Sequence, residues 1–218
     1  MWPVIIVFAK APEPGRVKTR LARVLGEERA AGLHSALVRD ALESMGRFAG
    51  WADVELHVDI ETGAWSEIPV PRALQAPGDL GRKMYEALRA GLEAGRPQAV
   101  IVGSDAPGVP PAHLESLLAS TADVALGPAR DGGYYAIACR RVHPRMFDGV
   151  EWSRPVTLEQ TAEAARACGL QVEIGPEWFD VDSPEDLERL AALPELPRHV
   201  REWLRDWKSL GSSGMDGS

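Results

Sequence analysis

The chain has little cysteine: Cys139 and Cys168 are the only two in 218 residues. Two thiols this widely separated form neither a disulfide framework nor a zinc site, and a reducing compartment is the economical reading. Positive charge is also in short supply, with 24 Lys and Arg against 32 Asp and Glu and a formal net charge of −8. That balance argues against nucleic acid or an anionic membrane as a general partner, so any bound anion needs a local site. No apolar run is long enough for a membrane span. The opening "MWPVIIVFAKAPEPGR" has no basic segment ahead of its short apolar stretch, so we expect no signal peptide and a cytoplasmic protein.

Several catalytic signatures are missing too. No G-x-G-x-x-G follows a strand, which argues against a nicotinamide dehydrogenase. Lys18 follows "GRV" and not a glycine-rich run, so there is no P-loop. Ser104 sits in "GSDAPG" and not in G-x-S-x-G. Five histidines lack paired metal spacing, and His34, His57 and His199 read as ordinary structural or surface residues.

Short apolar runs do alternate with helical patterns. Val4 to Ala9, Val54 to Val58 and the β-branched Ala99 to Asp105 read as strands, and Glu27 to Phe48 as a helix. The rhythm predicts βαβ units in one α/β domain over residues 1–210, with a mostly parallel sheet and Ala99 to Asp105 at its centre. Further strands are expected at Asp123 to Leu126, Tyr134 to Cys139, Gln171 to Ile174 and Trp178 to Val181, which makes the later half mixed. Thr157 and Ser183 stand at helix N-cap positions, the second followed by proline. Val200, Trp203, Leu204 and Trp207 form one stripe of a helix over Leu196 to Leu210, which packs on the domain or on a second subunit in a homodimer. Residues 211–218, "GSSGMDGS", read as a disordered tail.

The positive charge that exists is concentrated. "KAPEPGRVKTR" follows the first strand, the place where open α/β sheets bind phosphates. Its prolines restrict the backbone, Gly15 permits a turn, and Lys10, Arg16, Lys18 and Arg20 can converge on one polyphosphate. The plain alternative is a solvated basic loop paired with surface acids.

Nucleotide phosphates usually bring a divalent ion held by one or two carboxylates. Asp105, just past the central strand, is one candidate ligand. Asp180 and Asp182 are others, since residues two apart in an extended segment point to one side. Asp105 could instead cap the helix after Pro110, and Asp182 could belong to the cap at Ser183. Asp131 precedes Gly132 and Gly133, which would let backbone approach a ligand; the alternative there is a plain hairpin turn.

Six motifs in order, "FAKAPEPGRVKTRL", "QAPGDLGRKM", "GSDAPGVP", "LGPARDGGYYAI", "VEWSRPVTLEQT" and "DVDSPEDL", cover nearly residues 4 to 190. Through them the chain resembles a bacterial family of glycosyltransferases and nucleotidyltransferases of the radical-SAM or selenodomain-associated type, in the nucleotide-diphospho-sugar transferase (GT-A) superfamily. The resemblance implies the GT-A fold, with Asp105 as the metal-binding aspartate at the central strand and Asp180 and Asp182 as a late acidic pair. It makes Lys18 and Arg20 phosphate contacts. Lys83 stands where that family usually has arginine and adds to the phosphate side. Arg154 stands where a small hydroxyl residue is common, on the acceptor side with Gly132 and Gly133.

The expected activity is therefore a transferase that uses Mg²⁺ or Mn²⁺ and a nucleotide-activated donor, with Asp105 and Asp131 as catalytic candidates. Asp131 would bind the acceptor or act as a base. Glycosyl transfer from a nucleotide sugar to a small-molecule acceptor leads narrowly. Nucleotidyl transfer from a nucleoside triphosphate to a small phosphorylated acceptor is the alternative, and a noncatalytic nucleotide-binding protein is the rival of another class.

Overall fold

The structure is a computed structural model that describes residues 1–212. Seven strands form one sheet: β1 (Val4–Ala9), β2 (Asp53–Val58), β3 (Arg72–Leu74), β4 (Ala99–Gly103), β5 (Val124–Pro128), β6 (Tyr134–Cys139) and β7 (Val172–Ile174). Their spatial order is β3-β2-β1-β4-β6-β5-β7. β6 runs antiparallel to both neighbours, while β1 with β2, β1 with β4, β2 with β3 and β5 with β7 pair in parallel. Only β6 is reversed, so the carboxyl ends of β1, β2, β4 and β5 open on the same edge of the sheet.

Among the described residues there are seven helices: α1 (Thr19–Leu25), α2 (Glu27–Gly46), α3 (Leu80–Glu93), α4 (Pro111–Ala119), α5 (Thr157–Ala167), α6 (Pro184–Ala191) and α7 (Arg198–Ser212). Strand alternation divides the core between two faces. Ile5, Val7 and Ala9 pack with Val38, Leu42 and Met45 of α2 and with Leu114 and Leu117 of α4. Val4, Ile6 and Phe8 pack with Met84 and Leu88 of α3 and with Ala162 and Ala165 of α5. All six β1 residues are buried, as a strand covered on both faces requires.

The α/β class and the mostly parallel sheet follow the sequence reading, and Tyr134–Cys139 is a strand over those same residues. Three local expectations change. Trp178 to Val181 makes a single bridge, Trp178 with Ala129, in place of a strand. Thr157 is the first helical residue and Val156 the N-cap; the Thr157 hydroxyl donates to the carbonyls of Glu151 and Arg154 and so ties down the preceding loop. The last helix runs to Ser212, into the expected tail, and the rest of that tail lies outside the described residues. Ser183 caps α6 with Pro184 at the first helical position, as the spacing predicts. Among the described residues no helix is long and apolar enough to cross a membrane.

The start of α7 is held by another helix. Asp40 of α2 is buried, and its carboxylate accepts from the backbone amides of His199 and Val200 at 2.9 and 2.8 Å. A carboxylate at a helix N-terminus satisfies amides that have no partner within the helix. Asp40→Ala leaves those amides without their acceptor, and urea or thermal unfolding should show a loss of about 2 kcal/mol. Unchanged stability would show that α7 docks through its apolar stripe alone.

Candidate active site

A cleft of about 620 Å³ lies at the carboxyl edge of the sheet. Its lining includes Lys10, Arg16, Lys18 and Arg20 from the first loop, Lys83 from α3, and Asp105, Asp131 and Asp182 from later segments. Each acid arrives at the end of a parallel strand or beside one. Asp105 follows β4, and Asp131 sits at the tip of the hairpin between β5 and β6. The segment of Asp180 and Asp182 is held by amide-to-carbonyl bonds from Trp178 to Pro128 and from Val181 to Asp105, both 2.9 Å. Extended alternation sends Val181 into the core, 0% exposed, and brings Asp180 and Asp182 to Asp131. Each of these three acids offers an oxygen within 4.8 Å of the others.

The cations of the first loop are not equivalent. Arg16 is committed at the surface, to Glu13 at 2.6 Å and to Asp59 at 3.3 Å. Lys18 is committed in the interior: its side chain is 3% exposed, and its Nζ lies 2.6 Å from Asp105 Oδ1 and 2.8 Å from Asp182 Oδ1. The bond to Asp182 is an aligned hydrogen bond, whereas that to Asp105 is an ion contact without that alignment. Lys18 also adopts a left-handed backbone, φ 46° and ψ 43°, which costs a non-glycine residue about 1 kcal/mol. Among the described residues Lys10, Arg20 and Lys83 make no ion pair. Gly15 takes φ 78° to turn the loop, its Cα facing the Glu27 carboxylate.

The electrostatics are strongly perturbed. Burial alone would raise the Asp105 carboxyl, but Lys18 and His34 more than offset it and hold it well below the usual range. Only Oδ1 is turned inward, and 42% of the Asp105 side chain stays open to the cleft. Burial would likewise lower Lys18, and its two aspartates outweigh it to give a net rise. Asp180 moves the other way, pushed up to about 8 by burial and then by the charges of Asp131, Asp182 and Asp105.

A divalent ion fits these residues. Asp180 Oδ1 is buried with no hydrogen-bond partner, carboxylate oxygens are the ligands that Mg²⁺ and Mn²⁺ prefer, and the Lys18 ammonium already stands as a cation between two of the acids. The geometry groups Asp131, and not Asp105, with Asp180 and Asp182. Asp131 also accepts from the Gly133 amide at 2.8 Å, so it shapes its own turn.

Gly132, Gly133 and Arg154 flank the cleft. Gly132 has φ 89°, and a Cβ there would lie 2.1 Å from the Pro155 carbonyl oxygen, so only glycine lets the loop around Arg154 close onto the Asp131 turn. The Leu158 amide donates to the Gly132 carbonyl at 2.8 Å and closes the same contact. Neither Gly132, Gly133 nor Arg154 lines the cleft wall itself, nor does Gly15.

Other residues of the site carried little signal in the sequence. His34 is buried in α2; its Nε2 donates to the Lys10 carbonyl at 2.9 Å and its Nδ1 lies 3.7 Å from Asp105 Oδ1. A lone histidine at helical spacing reads as core. Asp59, past β2, accepts from the Ala11 amide at 2.7 Å and fixes the start of the basic loop; an acid at a strand's carboxyl end was its available signal. Gln75 donates to the carbonyls of Ala9 and His57 and ties β1 to β2 at the cleft floor. Asp186, and not Asp182, is the capping acid at Ser183, and its carboxylate takes the amides of both.

The chain's likenesses agree with this site. A family described as "Uncharacterized protein conserved in bacteria (DUF2064)" matches residues 49–154. The 2-phospho-L-lactate guanylyltransferase of Natrialba magadii is 31% identical over 219 residues, which cover 93% of this chain and 86% of that protein. The protein of the same name from Haloarcula marismortui is 26% identical over 188 residues, covering 86% and 85%. A crystal structure from Desulfovibrio desulfuricans G20, assigned as a nucleotide-diphospho-sugar transferase, superposes with a TM-score of 0.84 at 32% identity, over 96% of this chain and 97% of its own. Fold, cleft and relatives together define a nucleotide-using transferase of the nucleotide-diphospho-sugar transferase superfamily. Within that superfamily, the chain is related over most of its length to the Natrialba 2-phospho-L-lactate guanylyltransferase, and its residues 49–154 match the DUF2064 family.

The raised Asp180 carboxyl has a measurable sign. The unfolded chain gives up this proton near the ordinary carboxyl range, while the metal-free folded protein keeps it until about pH 8. The group's stability is therefore complete at acid pH and is lost as pH rises toward 8. Asp180→Asn should flatten that decline in metal-free thermal scans. An unchanged pH profile would show that Asp180 ionises normally.

Proposed function

We propose that this transferase is a metal-dependent nucleotidyltransferase, moving a nucleoside monophosphate from a nucleoside triphosphate to a small phosphorylated acceptor. One observation carries the reading: Lys10, Arg20 and Lys83, which make no ion pair among the described residues, line the same cleft as the acids that suit a divalent ion. A triphosphate brings one phosphate more than a nucleotide sugar and makes fuller use of those cations. The two guanylyltransferase relatives support the same direction.

In this reaction an oxygen of the acceptor phosphate attacks the α-phosphorus, the bond from that phosphorus to the oxygen bridging to the β-phosphate breaks, and pyrophosphate leaves. The attacking oxygen is already anionic near neutral pH, so no side chain has to remove a proton and Asp131 is free to serve the metal. Asp131, Asp180 and Asp182 would hold Mg²⁺ or Mn²⁺, which when bound neutralises phosphate oxygens. Lys10, Arg20 and Lys83 bind the triphosphate and stabilise the growing charge of the departing phosphates, while Arg154 lies beside the cleft on the acceptor's side. The contact of Gly132 with Pro155 fixes the acceptor loop against the metal loop, which contributes orientation.

Glycosyl transfer is the second reading, favoured by the likeness to the Desulfovibrio protein. The same cleft would hold a nucleotide sugar, and the bond broken would be that between the sugar's anomeric carbon and the phosphate oxygen, releasing a nucleoside diphosphate.

The two differ in the leaving group. Purified protein with Mg²⁺, each nucleoside triphosphate and 2-phospho-L-lactate as the first acceptor should release pyrophosphate only when metal is present, with GTP the first donor to try. Nucleoside diphosphate from a nucleotide sugar, with no pyrophosphate from any triphosphate across a panel of phosphorylated acceptors, would replace this reading with glycosyl transfer.

A further inference from the structure

Lys18 is placed where it cannot serve a phosphate. Its side chain is 3% exposed, and its ammonium is held by a hydrogen bond to Asp182 and an ion contact with Asp105. The acids come from segments far apart in the chain, and the bond from the Val181 amide to the Asp105 carbonyl at 2.9 Å brings them together. Between them is a position within 2.8 Å of an oxygen of each, and the ammonium occupies it. Lysine also begins α1 in a left-handed conformation, where it holds the loop down toward the acids.

We infer that Lys18 is the resident counter-ion of this acid pair and that it exchanges with the divalent ion, so that metal entry releases Lys18 to the bound phosphates. This inference rests on the metal-dependent reading above. A divalent ion drawn toward Asp182 meets the ammonium at close range, and like charges at that separation repel strongly where water is scarce. The ammonium leaves with one charge as two enter, and the loop from Lys10 to Arg20 is freed from its anchor. Metal affinity and phosphate affinity are then linked, each raising the other.

Two measurements test the exchange on the full-length protein without nucleotide. Acylation of lysines, read by mass spectrometry, should find Lys18 protected in metal-free protein and at least about tenfold more reactive with saturating Mn²⁺, while the exposed Lys10 is unchanged. Mn²⁺ binding is followed in parallel by electron paramagnetic resonance. Bound Mn²⁺ with Lys18 still protected overturns the exchange and leaves the metal reading standing; no Mn²⁺ binding overturns both. Lys18→Met should also tighten Mn²⁺ about tenfold, because the competing cation is gone. Arg20→Met, which removes a loop cation that no acid holds, should change it far less. Equal gains in the two variants, or none for Lys18→Met, overturn the exchange.

Discussion

One buried ammonium joins three parts of the chain at a single point. Lys18 comes from the loop after β1, Asp105 from the end of β4, and Asp182 from the segment leading into α6. Removing an ammonium from water costs a great deal unless anions accompany it, so the buried lysine and the two acids specify one another's positions. The left-handed turn at Lys18, the start of α1 and the approach of the late acidic segment to the sheet edge all depend on that arrangement. Nearby, where burial and the surrounding acids outweigh Lys18, Asp180 keeps its proton to an unusually high pH. The site is thus overfull of negative charge in one half and supplied with spare positive charge in the other.

In the proposed reaction a metal–polyphosphate ligand would correct that imbalance. The ion would take the acids and the phosphates Lys10, Arg20 and Lys83. A chain with a net charge of −8 can hold a polyanion only through such local compensation. The fold supplies the place for it, since β1, β2, β4 and β5 all end on one edge.

Much of this was legible in the sequence because it depends on local rules. The β-branched run over Ala99 to Gly103 marks a strand buried on both faces, and the two-residue spacing of Asp180 and Asp182 puts them on one side of an extended backbone. The rest depends on contacts at long range. Nothing near Lys18 shows that its partners lie beyond β4 and before α6, so it reads as one more phosphate cation when its charge is already engaged. Asp131 reads as a turn residue because it is one; only the bridge from Ala129 to Trp178 shows that the same turn meets the late acids. β3 is three residues long, too short for a periodic signal, and its strand character comes from pairing with β2. Thr157 has the identity of a cap, yet two carbonyls of the preceding loop compete successfully for its hydroxyl.

The reversed strand has a consequence for how such a protein can diverge. Because β6 runs back across the sheet, the chain leaves the cleft after Asp131, touches its margin at Trp152 and Ser153, and returns again at Asp182. In the proposed reaction the cations for the triphosphate come from residues before Asp105, and the acceptor's side from the later excursion around Trp152 and Ser153. On that reading, substitutions between Arg140 and Val156 would retune which molecule receives the transferred group and leave the cations for the triphosphate in place. That excursion closes against Gly132, whose missing Cβ leaves room for the Pro155 carbonyl.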